Sequence, residues 1–277
     1  MPFTPPQEAS LVNLVRRAAR TEVLPRFRAL HDLTIATKSD PDDLVTEADT
    51  AAETMIARGL AAQFPDALIV GEEAAAADPA QADAIGAADL AFVIDPLDGT
   101  WNFARGLPLF GTILAACRRG EPIWAMIHDP VTDEWITATQ DRPTRRERPG
   151  HPPRRVQVGP AREIAEMSGF LPLHLLPERL QGPAAALLPG FRRATSLRCS
   201  AHEYRLLAQG HVDFCLGVDP EPWDHAAGVL LCRQAGGYAA MLDGAPYSAA
   251  CRSGYLMAAP SPDCWARLAE RLDVLRG

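Results

Sequence analysis

Lysine is almost missing from this chain: of 27 basic residues Lys38 alone is lysine, and every other one is arginine. Over most of a surface such a bias reflects genome composition. The exception is either chance or a place that needs a compact ammonium rather than a guanidinium fork. Basic charge is itself in deficit, 27 against 35 acidic residues for a net charge of −8, so the positive surface of a nucleic-acid-binding protein is not expected. Tight cysteine spacing is also lacking. Cys117, Cys199, Cys215, Cys232, Cys251 and Cys264 form no CxxC pair, which argues for reduced, mostly buried thiols over a disulfide framework or a zinc site. No run approaches the ~20 apolar residues of a membrane span. The opening "MPFTPPQEAS" has no apolar segment of the kind a secretory signal carries. The expectation is a cytoplasmic protein without a membrane partner.

What is present is an ordinary globular composition. The 277 residues are 47% apolar and 22% charged, enough for one large domain or two modest ones with a real core. Thr4-Pro5-Pro6-Gln7 resembles a capping box, and Leu11, Leu14, Val15 and Ala18 follow at helical spacing. Pro25 should kink or end that helix. "DLVTEADTAAETMIARGLAAQF" reads as a short approach and a helix with Ala52, Met55, Ile56 and Leu60 inward. "ALIVGEE" and "AFVID" read as strands, and "GTILAACRR", "PIWAMIHD" and "EWITATQ" as an antiparallel meander. The Pro- and Arg-rich stretch 140–155, "QDRPTRRERPGHPPRR", is expected to be an exposed linker, with a new strand starting at "RRVQVG". Beyond it strands and helices alternate: "SAHEYRLLAQG" helical, "VDFCLGV" a strand, "WDHAAGVLLCRQAGG" helical, "YAAML" and "GYLMAAP" strands, and a last helix capped by Ser261-Pro262. An α+β half over 1–140 beside an α/β half over 153–277 is the expected organisation.

Acidic residues gather at the ends of these elements: Asp43 and Asp49, Glu72, Asp95 and Asp98, and Asp224. Each alone is as compatible with a turn, a helix cap or a solvated loop as with a ligand. "DPLDGT" is different, because Pro96 stiffens the turn and Gly99 opens unusual backbone angles. Carboxylates at a strand exit must be hydrated, paired or bound to a cation. Oxygen-only clusters suit Mg²⁺, and the absence of His and Cys from the set disfavours zinc.

"DLVTEAD", "GEE", "IDPLDGT" and "PWDHAAG", in that order, resemble the inositol monophosphatase family of Mg²⁺-dependent, lithium-sensitive phosphatases related to fructose-1,6-bisphosphatase. The match runs from about Lys38 to Gly237, and "DPLDGTWNF" is its most specific part. The resemblance implies a layered α-β-α-β-α sandwich of the sugar phosphatase type, a homodimer, and two or three Mg²⁺ ions per site. It implies that Glu72, Asp95 and the Leu97 carbonyl hold one ion. A second would be held by Asp95, Asp98 and Asp224, and Glu72 would help place a third through water. Asp49 and Thr100 would orient and deprotonate the attacking water, with the Gly99 and Thr100 amides at the phosphate. Lys38 would lie near the third ion and Asp43 would support its loop.

Three positions depart from the family pattern. Where relatives carry Gly-Ser/Thr-Ala near the substrate, this chain has Arg198, Cys199 and Ser200. Where inositol phosphate hydrolases often carry a glutamate, it has Gly217. A Gly-Ala…Asn-Gly hairpin is replaced by the 140–155 stretch. Arg198, with Arg192 or Arg193, either binds a second anionic group of the substrate or turns to solvent or to Glu203. His202 and His225 read as structural. The activity expected is hydrolysis of a small phosphorylated polyol, sugar or metabolite, with inositol 1-monophosphate the best single substrate. Histidinol phosphate, fructose 1,6-bisphosphate and a 3′-phosphonucleotide are the alternatives. An inactive relative that binds phosphorylated ligands is the alternative of another class.

Overall fold

The computed structural model describes residues 3–29, 35–37 and 44–276. Helix α1 (Pro5–Ala18) opens on the expected capping box, in which Thr4 N donates to Gln7 Oε1 at 2.8 Å. It does not end at Pro25. One wide π-turn, Ala19–Val23, leads into α2 (Leu24–Arg28), and such a turn is a common answer to a ring that has no N–H and crowds the carbonyl four residues back. Strands β1 (Ile35–Thr37) and β2 (Leu44–Thr46) pair antiparallel before α3 (Glu47–Gln63). Ala52, Ile56 and Leu60 of α3 are buried as expected, while Met55 is half-buried.

Among the described residues a seven-stranded sheet follows in chain order. It comprises β3 (Leu68–Gly71), β4 (Ala91–Asp98), β5 (Gly111–Arg118), β6 (Glu121–Asp129), β7 (Glu134–Thr139), β8 (Arg142–Glu147) and β9 (Arg154–Arg155). The first pair is parallel and the rest antiparallel. Short helices α4 (Glu72–Ala77), α5 (Ala80–Asp83) and α6 (Thr100–Phe103) decorate its connections. The stretch expected as a linker is thus the edge of this sheet, a correction to the sequence reading. Its arginines and prolines are what solvent-facing edge strands carry. One residue betrays the inward face: Thr144 is fully buried, and its Oγ1 donates to Leu231 O at 2.7 Å. The strand expected at "RRVQVG" is limited to Arg154–Arg155.

The second sheet has the order β11-β10-β12-β14-β13. Its strands are β10 (Ser168–Phe170), β11 (Arg193–Thr195), β12 (Phe214–Val218), β13 (Tyr238–Met241) and β14 (Tyr255–Ala259). Helices α7 (Glu178–Ala185), α8 (Ser200–Ala208), α9 (Pro222–Gln234) and α10 (Pro262–Arg271) complete the chain. Three apolar clusters stack these elements. Leu11, Val15, Ile56 and Leu60 of α1 and α3 meet Phe92, Leu114 and Met126 on one face of the large sheet. Val93, Ile113 and Ile127 on its other face meet Tyr204, Leu207, Ala227 and Leu231 of α8 and α9, which meet Cys215 and Ala258 of the second sheet. Phe214, Leu216 and Met257 then pack on Leu180, Cys264 and Leu268 of α7 and α10. The result is the α-β-α-β-α sandwich, each sheet buried on both faces, with alternate side chains of a strand serving different layers.

Candidate active site

Asp95 and Asp98 are held on β4 by an irregularity in its pairing. Asp95 lies opposite Ile113 and Asp98 opposite Gly111, so β4 spends three steps where β5 spends two. An extra residue of this kind turns the strand and re-aims a side chain. In a regular strand, residues three apart point to opposite faces. Here the carboxylates of Asp95 and Asp98 converge with that of Asp224, one oxygen of each lying within 4.8 Å of the others. Asp224 arrives from the first turn of α9.

Each neighbouring carboxylate is fixed by backbone donors. Asp95 Oδ1 accepts from Leu97 N at 2.9 Å. Asp98 Oδ2 accepts from Ala201 N and lies 3.1 Å from Cys199 Sγ, so it caps the start of α8 from across the molecule. Asp49 is the third helical residue of α3, and its Oδ2 accepts from Thr46 N at 2.8 Å in a capping box. Its other oxygen reaches Thr100 Oγ1 at 3.0 Å, and that hydroxyl also stands 2.9 Å from Leu97 O. Asp49 is therefore a cap and a member of the acidic cluster at once. Glu72 opens α4, whose first amides are capped from α3: Glu53 accepts from Glu73 N at 2.8 Å and Ala74 N at 3.0 Å. Gly99 has φ +89°, and a Cβ there would stand 2.7 Å from Leu109 O. Only glycine fits between the two aspartates and the helix that starts at Thr100.

The cluster is electrostatically unfavourable by itself. Burial pushes the Asp49 and Asp98 carboxyls up to about 6. Asp95 is raised well above its ordinary value, first by burial and then by repulsion from Glu72, Asp98, Asp224 and Asp49. A hard divalent cation would relieve both effects, and a donor set made wholly of carboxylate oxygens matches what Mg²⁺ takes. The residues present fit such an ion.

Asp98 and Asp224 line a cleft of about 230 Å³ with Glu72, Gly99, Thr100, Trp101, His174, Ser196, Arg198, Cys199, Ser200 and Gly217. A larger groove of about 970 Å³ runs along α3 beside Arg17, Arg26 and Arg58. Its acidic lining residues are Glu22 and Glu47, so the clustered chemistry belongs to the smaller cleft. The loop before α8 is pinned from two sides. Glu203 Oε1 accepts from Leu197 N at 2.7 Å, and Asn102 Nδ2 donates to Leu197 O at 2.9 Å.

Of the residues expected at the site, Asp49, Glu72, Asp95, Leu97, Asp98, Gly99, Thr100 and Asp224 come together, and Arg198, Cys199 and Ser200 line the same cleft. Lys38 and Asp43 lie outside the described residues. Arg192 and Arg193 are exposed at the start of β11, away from the cleft lining. His202 is structural: its ring bridges Phe110 O at 3.1 Å and Arg205 Nη1 at 3.1 Å. His225 is buried, with Nδ1 3.0 Å from the Tyr204 hydroxyl. Its ring stands where a side chain at 217 would go, since a Cβ on Gly217 would lie 2.6 Å from His225 Cε1. Sequence reasoning passed over Trp101, Asn102 and Glu53, each with a partner 20 or more residues away in the chain.

A family model described as the inositol monophosphatase family matches residues 7–273. The inositol-1-monophosphatase of Bacillus subtilis is 29% identical over 228 residues, covering 80% of this chain and 81% of that protein. The histidinol-phosphatase of Streptomyces coelicolor is 30% identical over 242 residues, covering 85% and 87%. Among solved structures, the extragenic suppressor protein suhB of Bartonella henselae superposes with a TM-score of 0.79 at 23% identity, covering 96% of this chain and 97% of that one. That last likeness speaks to the fold.

Proposed function

The chain belongs to the inositol monophosphatase family, and on that premise we propose that it is a Mg²⁺-dependent phosphomonoesterase acting on a small phosphorylated polyol, sugar or related metabolite. The observation that carries the reading is the convergence of Asp95, Asp98 and Asp224 within 4.8 Å, beside Thr100 and Asp49 at 3.0 Å. A phosphate monoester is a dianion, and its charge must be offset before a nucleophile can approach. Mg²⁺ would be held by these carboxylates with Glu72 and the Leu97 carbonyl, and would supply that offset and lower the pKa of a water.

The chain's own groups do the rest. Thr100 Oγ1 orients the water and Asp49, 3.0 Å from that hydroxyl, accepts its proton. The Gly99 and Thr100 amides, at the start of the turn after β4, would meet phosphate oxygens, as the family resemblance implies. Asp98, tied to α8 through Ala201 N, links the cluster to Arg198, Cys199 and Ser200 on the substrate side.

Relatives named for inositol 1-monophosphate and for histidinol phosphate lie at nearly equal identity, so the class inferred is a phosphorylated alcohol. A cleft of about 230 Å³, below the ~300 Å³ at which ligand pockets commonly begin, favours a small ester over a polymer. Inositol 1-phosphate remains the first substrate to try. Release of inorganic phosphate from a panel of monoesters, with Mg²⁺, with EDTA and with Li⁺ added, tests the reading. Turnover that requires Mg²⁺ and falls with Li⁺ supports it. No release from any ester by folded protein that binds Mg²⁺ rejects it in favour of a ligand-binding relative.

A further inference from the structure

We propose that the arginine-rich edge of the large sheet, β8 with β9, docks a short acidic segment of another polypeptide, which adds to the sheet as an extra strand. This surface is separate from the catalytic cleft, and the inference stands independently of the phosphatase reading.

The charge is concentrated against the trend of the chain. Residues 142–155 carry six arginines against Glu147, a net +5. The other residues then hold 21 basic against 34 acidic side chains, a net −13. Positions 148–155 are all exposed.

The pairing of the two strands brings like charges face to face. Arg145 lies opposite Arg155, and Arg146 opposite Arg154. Like charges directly opposite on a sheet destabilise it, so two such pairs in succession work against the fold that holds them. Arg146 is engaged by Glu134 at 2.6 Å. Arg145, Arg154 and Arg155 are exposed, and among the described residues their side chains make no ion pair or hydrogen bond. Protection of an edge from other strands explains charge there. It does not explain one sign in facing pairs, which repels basic and apolar strands but attracts an acidic one.

The backbone of the edge is open as well. β9 ends the seven-stranded sheet. Val156 N donates to Thr144 O at 3.1 Å, and the alternation of an antiparallel ladder then turns the Arg155 N–H and C=O away from β8. An added strand can use those groups. Its successive side chains would fall on opposite faces, one beside Arg155 and Arg145, the next beside Arg154. Consecutive carboxylates are the pattern that satisfies both faces. Pro152 and Pro153 precede β9 and lack an N–H, so the added strand is short.

A polynucleotide fits less well. No aromatic residue lies within 142–155 to stack a base. A long polyanion would also run from the hairpin onto a surface of its own sign, whereas a short acidic segment need touch only the arginines.

The test measures fluorescence anisotropy of labelled probes against the full chain at low salt, where exposed charges are least screened. The probes are a hexapeptide of alternating Asp and Glu, its Asn/Gln counterpart, the acidic peptide with alternate backbone amides methylated, and a heptathymidylate of equal charge. We expect the acidic peptide to bind about tenfold or more tighter than the neutral one, since each exposed ion pair gives up to a few fold. Methylation should cost about three- to tenfold by removing strand hydrogen bonds. The triple variant Arg145→Glu, Arg154→Glu, Arg155→Glu should abolish the preference for acid; if it does not fold, the triple Gln variant takes its place with the same expectation. The inference is overturned if acidic and neutral peptides bind alike, if the variant keeps the preference, or if methylation changes nothing. Heptathymidylate binding as tightly as the acidic peptide would overturn it in favour of a nucleic-acid surface.

Discussion

Asp95 and Asp98 sit three residues apart on one strand, yet their carboxylates share one cluster because the strand holds an extra residue between them. A one-residue change of register would swing Asp98 to the opposite face of the sheet. The "PL" of "DPLD" is thus what makes two side chains of opposite parity neighbours. Like charges brought together in a buried place destabilise each other until something positive arrives.

Asp95→Asn should therefore act in opposite directions on stability and on activity. Burial and four neighbouring acids raise Asp95, so the neutral amide should raise the Tm measured in EDTA. Loss of a ligand should lower Mg²⁺-dependent phosphate release by more than ~100-fold, since loss of a mere supporting partner already costs 10–100-fold. Thermal shift in EDTA and in Mg²⁺ reads stability and ion binding, and a phosphate-release assay reads the activity. An undiminished Mg²⁺-induced rise in Tm would remove Asp95 from the ion site.

The same electrostatics set a pH dependence. Asp49 and Asp98 are raised from 3.8 to about 6, and Glu203 from 4.5 to about 7, in each case mainly by burial. Between pH ~4 and ~6 the folded protein then binds more protons than the unfolded chain, which makes stability fall as pH rises. In EDTA we expect stability to be greatest near pH 4 as far as these groups are concerned, and to decline through pH 6–7. Each contributes on the order of 2–3 kcal/mol at most. Mg²⁺ should reverse the slope, because carboxylates must lose their protons to bind it. Denaturant midpoints against pH, with and without Mg²⁺, check this; Asp98→Asn should flatten the EDTA curve, and an unchanged slope would contradict the assignment.

What the sequence made legible was local. "AFVID" and "IDPLDGT" announce a strand and a tight turn within a few residues, and α1, α3, α9 and α10 follow from spacing and caps. What it hid depends on partners distant in the chain. Asp98 reaches Ala201, Glu53 caps α4 across 20 residues, and Trp101 receives Arg198. Strands β10 and β11 are three residues each, too short for alternation to register. At β8, charge and proline mimic a linker because a strand flanked on its outer side only by the two-residue β9 needs just one buried position, and here that position is Thr144. The 140–155 stretch was misread for that reason.

Thr100 and Asp49 should separate chemistry from ion binding. Their 3.0 Å contact places a hydroxyl and a carboxylate as a pair that can orient and deprotonate water. Thr100→Ala should lower kcat by about 10²–10⁴-fold, the usual size of general acid–base contributions, while keeping the Mg²⁺-induced rise in Tm. Thr100→Ser should recover most of the loss. Steady-state kinetics beside thermal shift decide it, and equal activity of the Ala and wild-type proteins would dismiss the hydroxyl from the mechanism.

Gly217 and His225 should behave as one unit. The family resemblance implies a glutamate at the position of Gly217 in relatives that hydrolyse inositol phosphate, but here the His225 ring fills that space: a Cβ on Gly217 would lie 2.6 Å from Cε1 and 3.0 Å from Nε2. Burial holds His225 near 4, so it is neutral at pH 7, and Tyr204 fixes its Nδ1 side. Gly217→Ala alone should cost about 1–3 kcal/mol by overpacking, and His225→Ala should also destabilise by opening a void. Combined with His225→Ala, Gly217→Glu has room. The double variant should be more stable than the sum of its single changes by about 1–3 kcal/mol, measured by urea midpoints. Its KM for inositol 1-phosphate should fall relative to His225→Ala, as a carboxylate reaches the polyol hydroxyls. Additive stabilities would mean that the ring yields freely, and that this chain lacks the glutamate for some reason other than space.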